Sequence, residues 1–168
     1  MILVPYAELN GFRTIPDDEL EDIFQRMQSE GLDKIVFYSG IVRTAKDFIE
    51  TMKSKNNFPV FVKNDSGYAG FAWLNNLSGN TAMAHFCFFK GNPAVEAGRK
   101  ILHYWFSFTG KDGPLFDVLT GMIPGFNRRA IEFVKKLGAV EVGAIPKLAC
   151  NEFTKEKYSM TILYYLRS

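Results

Sequence analysis

Three strand-like runs follow one another with only short turns between them: FPVFVK (58–63), YAGFAWLN (68–75) and TAMAHFCFFK (81–90). Connections this short cannot carry a crossover, so successive runs must pair antiparallel. Asn64, Asp65, Ser66 and Gly67 make the first turn, and LSGN (77–80) makes the second; these residue types supply turn conformations and local side-chain bonds. The third run breaks at Gly91-Asn92-Pro93 and feeds at once into AVEAGRKIL (94–102). Gly98, Ile101, Leu102 and Trp105 then recur at helical spacing. A meander that delivers its last strand straight into a helix leaves free backbone N–H groups at the sheet's end, where an anion can be held.

The flanking segments complete a single domain spanning 1–168, in the order β-α-α-β-β-β-α-β-α-β-β. ILVPYAEL (2–9) reads as a strand. Pro16 followed by Asp17, Asp18 and Glu19 opens a helix with Leu20, Ile23, Phe24 and Met27 on one face and Gly31 beyond its end. Thr44 and Asp47 form a capping box ahead of Ala45, Phe48, Ile49 and Met52, while DKIVFYSG (33–40) fits either a strand or a buried loop. Downstream, DVLTGMI (117–123) reads as a strand. Asn127 caps a helix with the stripe Ala130, Ile131, Val134 and Leu137, ended by Lys135, Lys136 and Gly138. AVEVGAI (139–145) and KYSMTILYYLR (157–167) read as strands joined by the loop 146–157.

Composition narrows the partners. Twenty Lys and Arg against 18 Asp and Glu leave a formal charge of +2, which gives no electrostatic case for nucleic acid or an acidic membrane. The aromatic strand SGYAGFAW has some likeness to an RNA-recognition motif, but Gly70 shifts Phe71 and Trp73 by one place, onto the wrong face. Cys87 and Cys150 are the only cysteines, which fits a reducing cytoplasm; MILVPYAELNGFR lacks a basic leader and breaks at Pro5, so no signal peptide is expected. No metal site is expected.

The element order and the second half of the chain resemble the GNAT acetyltransferases. GYAGFAWL, TAMAHFCFFK and AVEAGRKIL stand where that family has a hairpin, its fourth strand, and a helix whose first turn binds the pyrophosphate of acetyl-coenzyme A. NRRAIEFVKKLGAVEVG (127–143) is similar to the family's Asn-x-x-Ala run ending in Lys-x-Leu-Gly, and KYSMTILYYLR to its last strand. The likeness covers 58–167; earlier residues agree by element order only. It implies an α+β (α/β) fold, with a mixed, mostly antiparallel sheet of roughly six to seven strands flanked by about four helices. It also implies an N-acetyltransferase that moves the acetyl group of acetyl-CoA to a primary amine by direct attack. The acceptor would be a small molecule or peptide, with a homodimer as an allowed assembly.

The resemblance assigns the site residues. Splayed fourth and fifth strands would place Phe86, Cys87 and Phe88 beside the thioester, with His85, Cys87 and Phe89 on one face and Phe86 and Phe88 on the other. Glu96, Ala97, Gly98 and Arg99 fall in the first turn of the phosphate-binding helix. Gly98 there serves either close approach of phosphate or close packing of the helix, and Arg99 offers a fixed charge. Of the family's Arg/Gln-x-x-Gly-x-Gly/Ala loop only Gly98 stands, and Glu96 brings a negative charge. Asn127 would cap its helix and contact the cofactor; Arg128 and Arg129 would reach the adenosine 3′-phosphate or form a solvated face. His85 is the one titratable candidate for a base on its strand, or a structural residue, while Cys87 reads as an inert core thiol. Val134 stands where many members have a tyrosine acid, leaving Tyr158 or Tyr104 as substitutes. The other reading is a divergent, phage-like GNAT-fold protein that binds coenzyme A or serves a structural role without catalysis.

Overall fold

A computed structural model describes residues 1–167. β1 (Ile2–Pro5) is followed by a small hairpin, β2 (Glu8–Leu9) and β3 (Phe12–Arg13), so the strand expected over 2–9 stops at Pro5. Helix α1 (Asp17–Ser29) begins after Pro16 with its three acids in the first turn, and buries Leu20, Ile23, Phe24 and Met27. The ambiguous segment 33–40 is a short helix, α2 (Asp33–Val36), running into a turn. Thr44 and Asp47 close the capping box of α3 (Ala45–Lys53), with the Asp47 amide donating to Thr44 Oγ1 at 3.2 Å.

The predicted meander is present as β4 (Phe58–Asn64), β5 (Gly67–Ser78) and β6 (Thr81–Phe88). Next come α4 (Ala94–Phe106), a second small hairpin of β7 (Thr109–Gly110) and β8 (Gly113–Pro114), β9 (Val118–Pro124) and α5 (Arg128–Lys136). β10 (Val140–Cys150) and β11 (Lys157–Leu166) end the fold. β10 thus continues five residues beyond the predicted strand end. It does so through register breaks at Glu141/Gly143 and Ile145/Ala149, with Pro146 and the left-handed Lys147 (φ 58°) inside the second break.

The main sheet has seven strands in the order β1-β4-β5-β6-β9-β11-β10. Every neighbouring pair is antiparallel except β6 and β9. One face carries α1 and α3 over a core that includes Phe24, Phe48, Phe61, Phe71 and Trp73. The other carries α4 and α5 over Leu74, Ile101, Trp105, Leu119, Val134 and Leu163. Rings stack in the first core: Phe61 on Phe71 at 5.6 Å, Phe71 on Trp73 at 5.8 Å, and Phe24 on Phe48 at 5.5 Å. Much of the chain's phenylalanine content is used this way, each ring adding apolar burial and a fixed geometry. No helix among the described residues is long and apolar enough to cross a membrane.

Gly70 is where backbone meets backbone. The β4–β5 register slips between Val62 and Lys63, and a Cβ on Gly70 would overlap the Cys87 carbonyl and stand 2.6 Å from the Phe88 ring. The bulge explains how both Tyr68 and Phe71 pack toward the α1/α3 side despite being an odd number of residues apart.

Candidate active site

The parallel pair carries the site. β6 and β9 are in register for three residues only, Thr81 with Val118, Ala82 with Leu119 and Met83 with Thr120. Beyond them β6 runs on to Phe88 and β9 to Pro124 without pairing, so the sheet opens into a V. A parallel pair needs a long connection, and α4 with the β7–β8 hairpin supplies it without tying the tips of the strands together. A cleft of about 650 Å³ passes through the V. His85, Trp73, Asn75 and Asn57 line it on the α1/α3 side, and Phe86, Asn127, Ala130, Val134 and Tyr165 on the α4/α5 side.

His85 lies flat on Trp73, with ring centroids 4.5 Å apart and planes 7° from parallel. Its Nε2 is 3.0 Å from Asn75 Oδ1. An Nε2–H donor to that amide oxygen leaves Nδ1 as a free acceptor. Burial lowers the imidazole to about 4, so it is neutral at physiological pH. Cys87 points the other way from the cleft's α4/α5 wall, into the buried α1/α3 core. Burial first and then the Glu30 charge push its thiol up, which leaves it protonated and without nucleophilic character. Phe86 and Phe88 face α5, where Phe133 packs edge-on to both, at 5.6 Å and 5.4 Å.

The phosphate-binding turn differs from its expected form. α4 begins at Ala94, so Gly98 is its fifth residue and not part of the first turn. It is buried, and a Cβ there would come within 2.7 Å of Leu137 Cδ1 and 2.9 Å of Phe133 Cζ; the missing side chain lets α4 approach α5. The Ala97 amide already donates to Pro93 O at 3.0 Å. Glu96 pairs with Lys100 at 3.2 Å on the exposed side, and Arg99 Nη2 donates to Lys136 O at 3.4 Å, along α5. Pro93 provides no side-chain cap and the Ala94 amide donates to Asn92 O at 2.8 Å, so among the described residues the Val95 and Glu96 amides are the ones with no acceptor.

The loop before α4 is held from outside. Glu30, at the end of α1, accepts the Lys90 amide at 2.7 Å and pairs with Arg26 at 3.0 Å, and the Arg26 guanidinium lies 4.2 Å over the Phe89 ring. Asn92 accepts from Asn64 Nδ2 at 3.0 Å and donates to Phe89 O at 3.2 Å. Asn127 caps α5 by accepting the Ala130 amide at 3.2 Å and also lines the cleft; Arg128 and Arg129 are exposed.

Neither tyrosine chosen from the sequence as a substitute acid lines the cleft. The Tyr158 hydroxyl donates to the Glu156 carboxylate and its ring rests edge-on against Phe126 at 4.9 Å. Tyr104 packs on Phe108 at 4.8 Å near the far end of α4. Two tyrosines that sequence reasoning missed line the cleft, Tyr38 and Tyr165, and of these Tyr165 is 3% exposed and stands with Val134. Its hydroxyl is buried with no hydrogen-bond partner among the described residues, and burial raises its pKa. Alternation from Leu163 would have put Tyr165 on the core face. Only the order β9-β11 brings that face to the cleft.

No protein-family model and no curated protein sequence matches the chain. Solved structures do. The spermidine N-acetyltransferase of Vibrio cholerae in complex with CoA and spermine superposes with a TM-score of 0.72 at 13% identity, over 98% of this chain and 95% of that one. A microcin C7 self-immunity acetyltransferase in complex with acetyl-CoA and AMP gives 0.68 at 15% identity, over 91% and 89%. A GNAT-family acetyltransferase of Bacillus anthracis gives 0.69 at 18% identity, over 90% and 91%. At such identities the agreement lies in the path of the backbone, and the fold of this chain is that of the GNAT acetyltransferases.

Proposed function

We propose that the protein is an acyl-CoA-dependent N-acetyltransferase that transfers an acetyl group to a primary amine by direct attack. The observation that carries this reading is the opening of β6 and β9 after three paired residues, which leaves strand edge and cleft together in the middle of the sheet. An unpaired strand edge can take up an extended amide-bearing chain as another strand would. The uncapped first turn of α4 lies at the end of the same strand and suits a diphosphate, held by backbone amides rather than by Gly98 or Arg99. Asn127 stands at the opposite wall. Acetyl-CoA, when bound, supplies the thioester.

The chain's residues then divide the work. Nδ1 of His85 accepts a proton from the attacking amine. The Tyr165 hydroxyl donates a hydrogen bond to the sulfur as it gains charge, taking the part that a tyrosine at position 134 would play. Burial keeps the phenol protonated, as a donor must be. Tyr165→Phe tests the assignment, since the substitution removes one oxygen from a site where that oxygen has no partner. Turnover should fall about tenfold or more with acetyl-CoA affinity retained. Stability should stay level or rise by up to about 1 kcal/mol, since no bond is lost. Unchanged turnover in a folded Tyr165→Phe protein removes Tyr165 from the reaction.

A second reading, a GNAT-fold protein that binds coenzyme A or serves a structural role without catalysis, is favoured by Phe133, which packs against Phe86 and Phe88 on the cofactor side of the V. Calorimetry with acetyl-CoA, followed by thiol release with amines, separates the two: binding without thiol release selects the second.

A further inference from the structure

Resting on the transferase reading, we infer that the acceptor is a weakly basic primary amine on an apolar body, of the aromatic-amine type, and not a polyamine or other alkylammonium. The inference comes from what the cleft wall lacks. Among the described residues, no Asp, Glu, Lys or Arg lines it. Its polar side chains are all uncharged: the hydroxyls and amides of serine, threonine, tyrosine and asparagine, Asn75, Asn76, Asn127 and Tyr165 among them, together with a neutral His85. An ammonium ion entering such a wall gives up its water and meets no opposite charge.

The Trp73 face beside His85 does not make up the deficit. A ring face can hold a cation, but the Trp73 ring is already stacked by His85 at 4.5 Å, by Phe37 at 5.8 Å and by Phe71 at 5.8 Å. The remaining wall on that side, with Ile35, Val36, Ile41, Val42, Met83 and Met122, suits an uncharged apolar body. The V. cholerae enzyme crystallised with spermine shares the backbone path, and nothing in this cleft offers several ammonium groups a counter-charge.

The chemistry agrees. An alkylammonium resembles lysine, which titrates at about 10.4, and an imidazole held at about 4 would deprotonate it against a gap of about a millionfold. An amine that is already neutral needs no such step. Its lone pair attacks the thioester carbonyl carbon, the C–N bond forms, and the C–S bond breaks with its electron pair leaving on sulfur. Only in the attack does the nitrogen become acidic. Its surplus proton passes to His85 and onward to the thiolate, so amine and thioester give amide and thiol with no other reactant.

The full chain is assayed with acetyl-CoA at pH 7 and three amines, 4-methoxyaniline, phenethylamine and spermidine, with thiol release corrected for hydrolysis and acetyl-CoA binding measured separately by calorimetry. The expected kcat/KM for 4-methoxyaniline exceeds the other two by at least a hundredfold and is flat from pH 7 to 9, while that for phenethylamine climbs about tenfold per pH unit. Preference for phenethylamine or spermidine at pH 7 overturns this inference and leaves the transferase reading standing. Acetyl-CoA binding with no thiol release from any amine overturns both. Asn76→Asp, which puts a carboxylate on the wall, should shift the phenethylamine to 4-methoxyaniline ratio about fivefold toward the ammonium. An unmoved ratio places the amine elsewhere and overturns the inference.

Discussion

His85 shows how a single side chain carries two messages. Sequence could identify it as the titratable group on its strand, facing the side opposite Phe86, and the structure agrees on the facing. Nothing in the sequence showed that Trp73 would lie against it, because the β5–β6 register that pairs Trp73 with His85 is a tertiary fact. That stacking buries the imidazole and lowers it to about 4 in the folded state, against about 6.5 unfolded. A lowered histidine contributes stability that is fully present above pH 6.5 and is lost as pH falls through 4, on the order of 3 kcal/mol in all. Chemical denaturation of wild type and His85→Asn across pH 7 to 4 checks this. The difference between the two proteins should shrink by about that amount on acidification, and a difference that does not change with pH would mean the ring is charged or solvated. Cys87 was read correctly as a buried thiol from its apolar neighbours alone, since a lone cysteine between phenylalanines has little else to be.

At the scale of elements, periodicity and capping signals were enough for the long pieces. α1 and α4 bury the residues their spacing selects; α3 buries Phe48 and Met52 and α5 buries Val134, with the rest of each stripe half-buried, and Thr44 and Asn127 cap as their positions require. Short pieces escaped because they have no period to read. α2 has four residues, and each small hairpin has strands of two. α4 starts at Ala94, where the sequence placed it, but Gly98 is its fifth residue, one place past the first turn, and sits in the α4–α5 contact. Gly98→Val should therefore act on packing. Its side chain would meet Leu137 and Phe133, and forcing those apart costs about 1–3 kcal/mol. Urea unfolding measures it; a variant as stable as wild type would show that α4 and α5 have slack between them. For the same reason a bulky residue at 98 is a poor probe of phosphate binding, since it would move the helix before it met a ligand.

For the whole molecule, the sequence predicted an α+β fold around a mostly antiparallel sheet, and the seven strands, in their observed order, agree. The meander made that much inescapable. It could not reveal how few residues join the two antiparallel halves, β1-β4-β5-β6 and β9-β11-β10, because seam length depends on where two distant segments stop pairing. A ligand lying in the V touches both halves and ties them together. Acetyl-CoA at about a hundred times its Kd should add about 2.7 kcal/mol to the folded state. For a chain of this size that raises Tm by roughly 5–10 °C. Differential scanning with and without acetyl-CoA checks it, and an unmoved Tm at saturating concentration would mean that the cleft does not hold the thioester.

The sheet's two outer margins, finally, are of unequal length but equally unsuited to extension. β1 ends after four residues at Pro5; β10, far longer, breaks register twice and carries Pro146 beside a left-handed Lys147. Each proline withholds a donor, and each bulge spoils the straight row of amides and carbonyls that a neighbouring chain would copy. A protein with a splayed, partly unzipped sheet is exposed to strand-to-strand growth into fibrils. Here the irregular rims confine that hazard to the interior of the V, where a strand from another molecule would first have to displace whatever the cleft was shaped to receive.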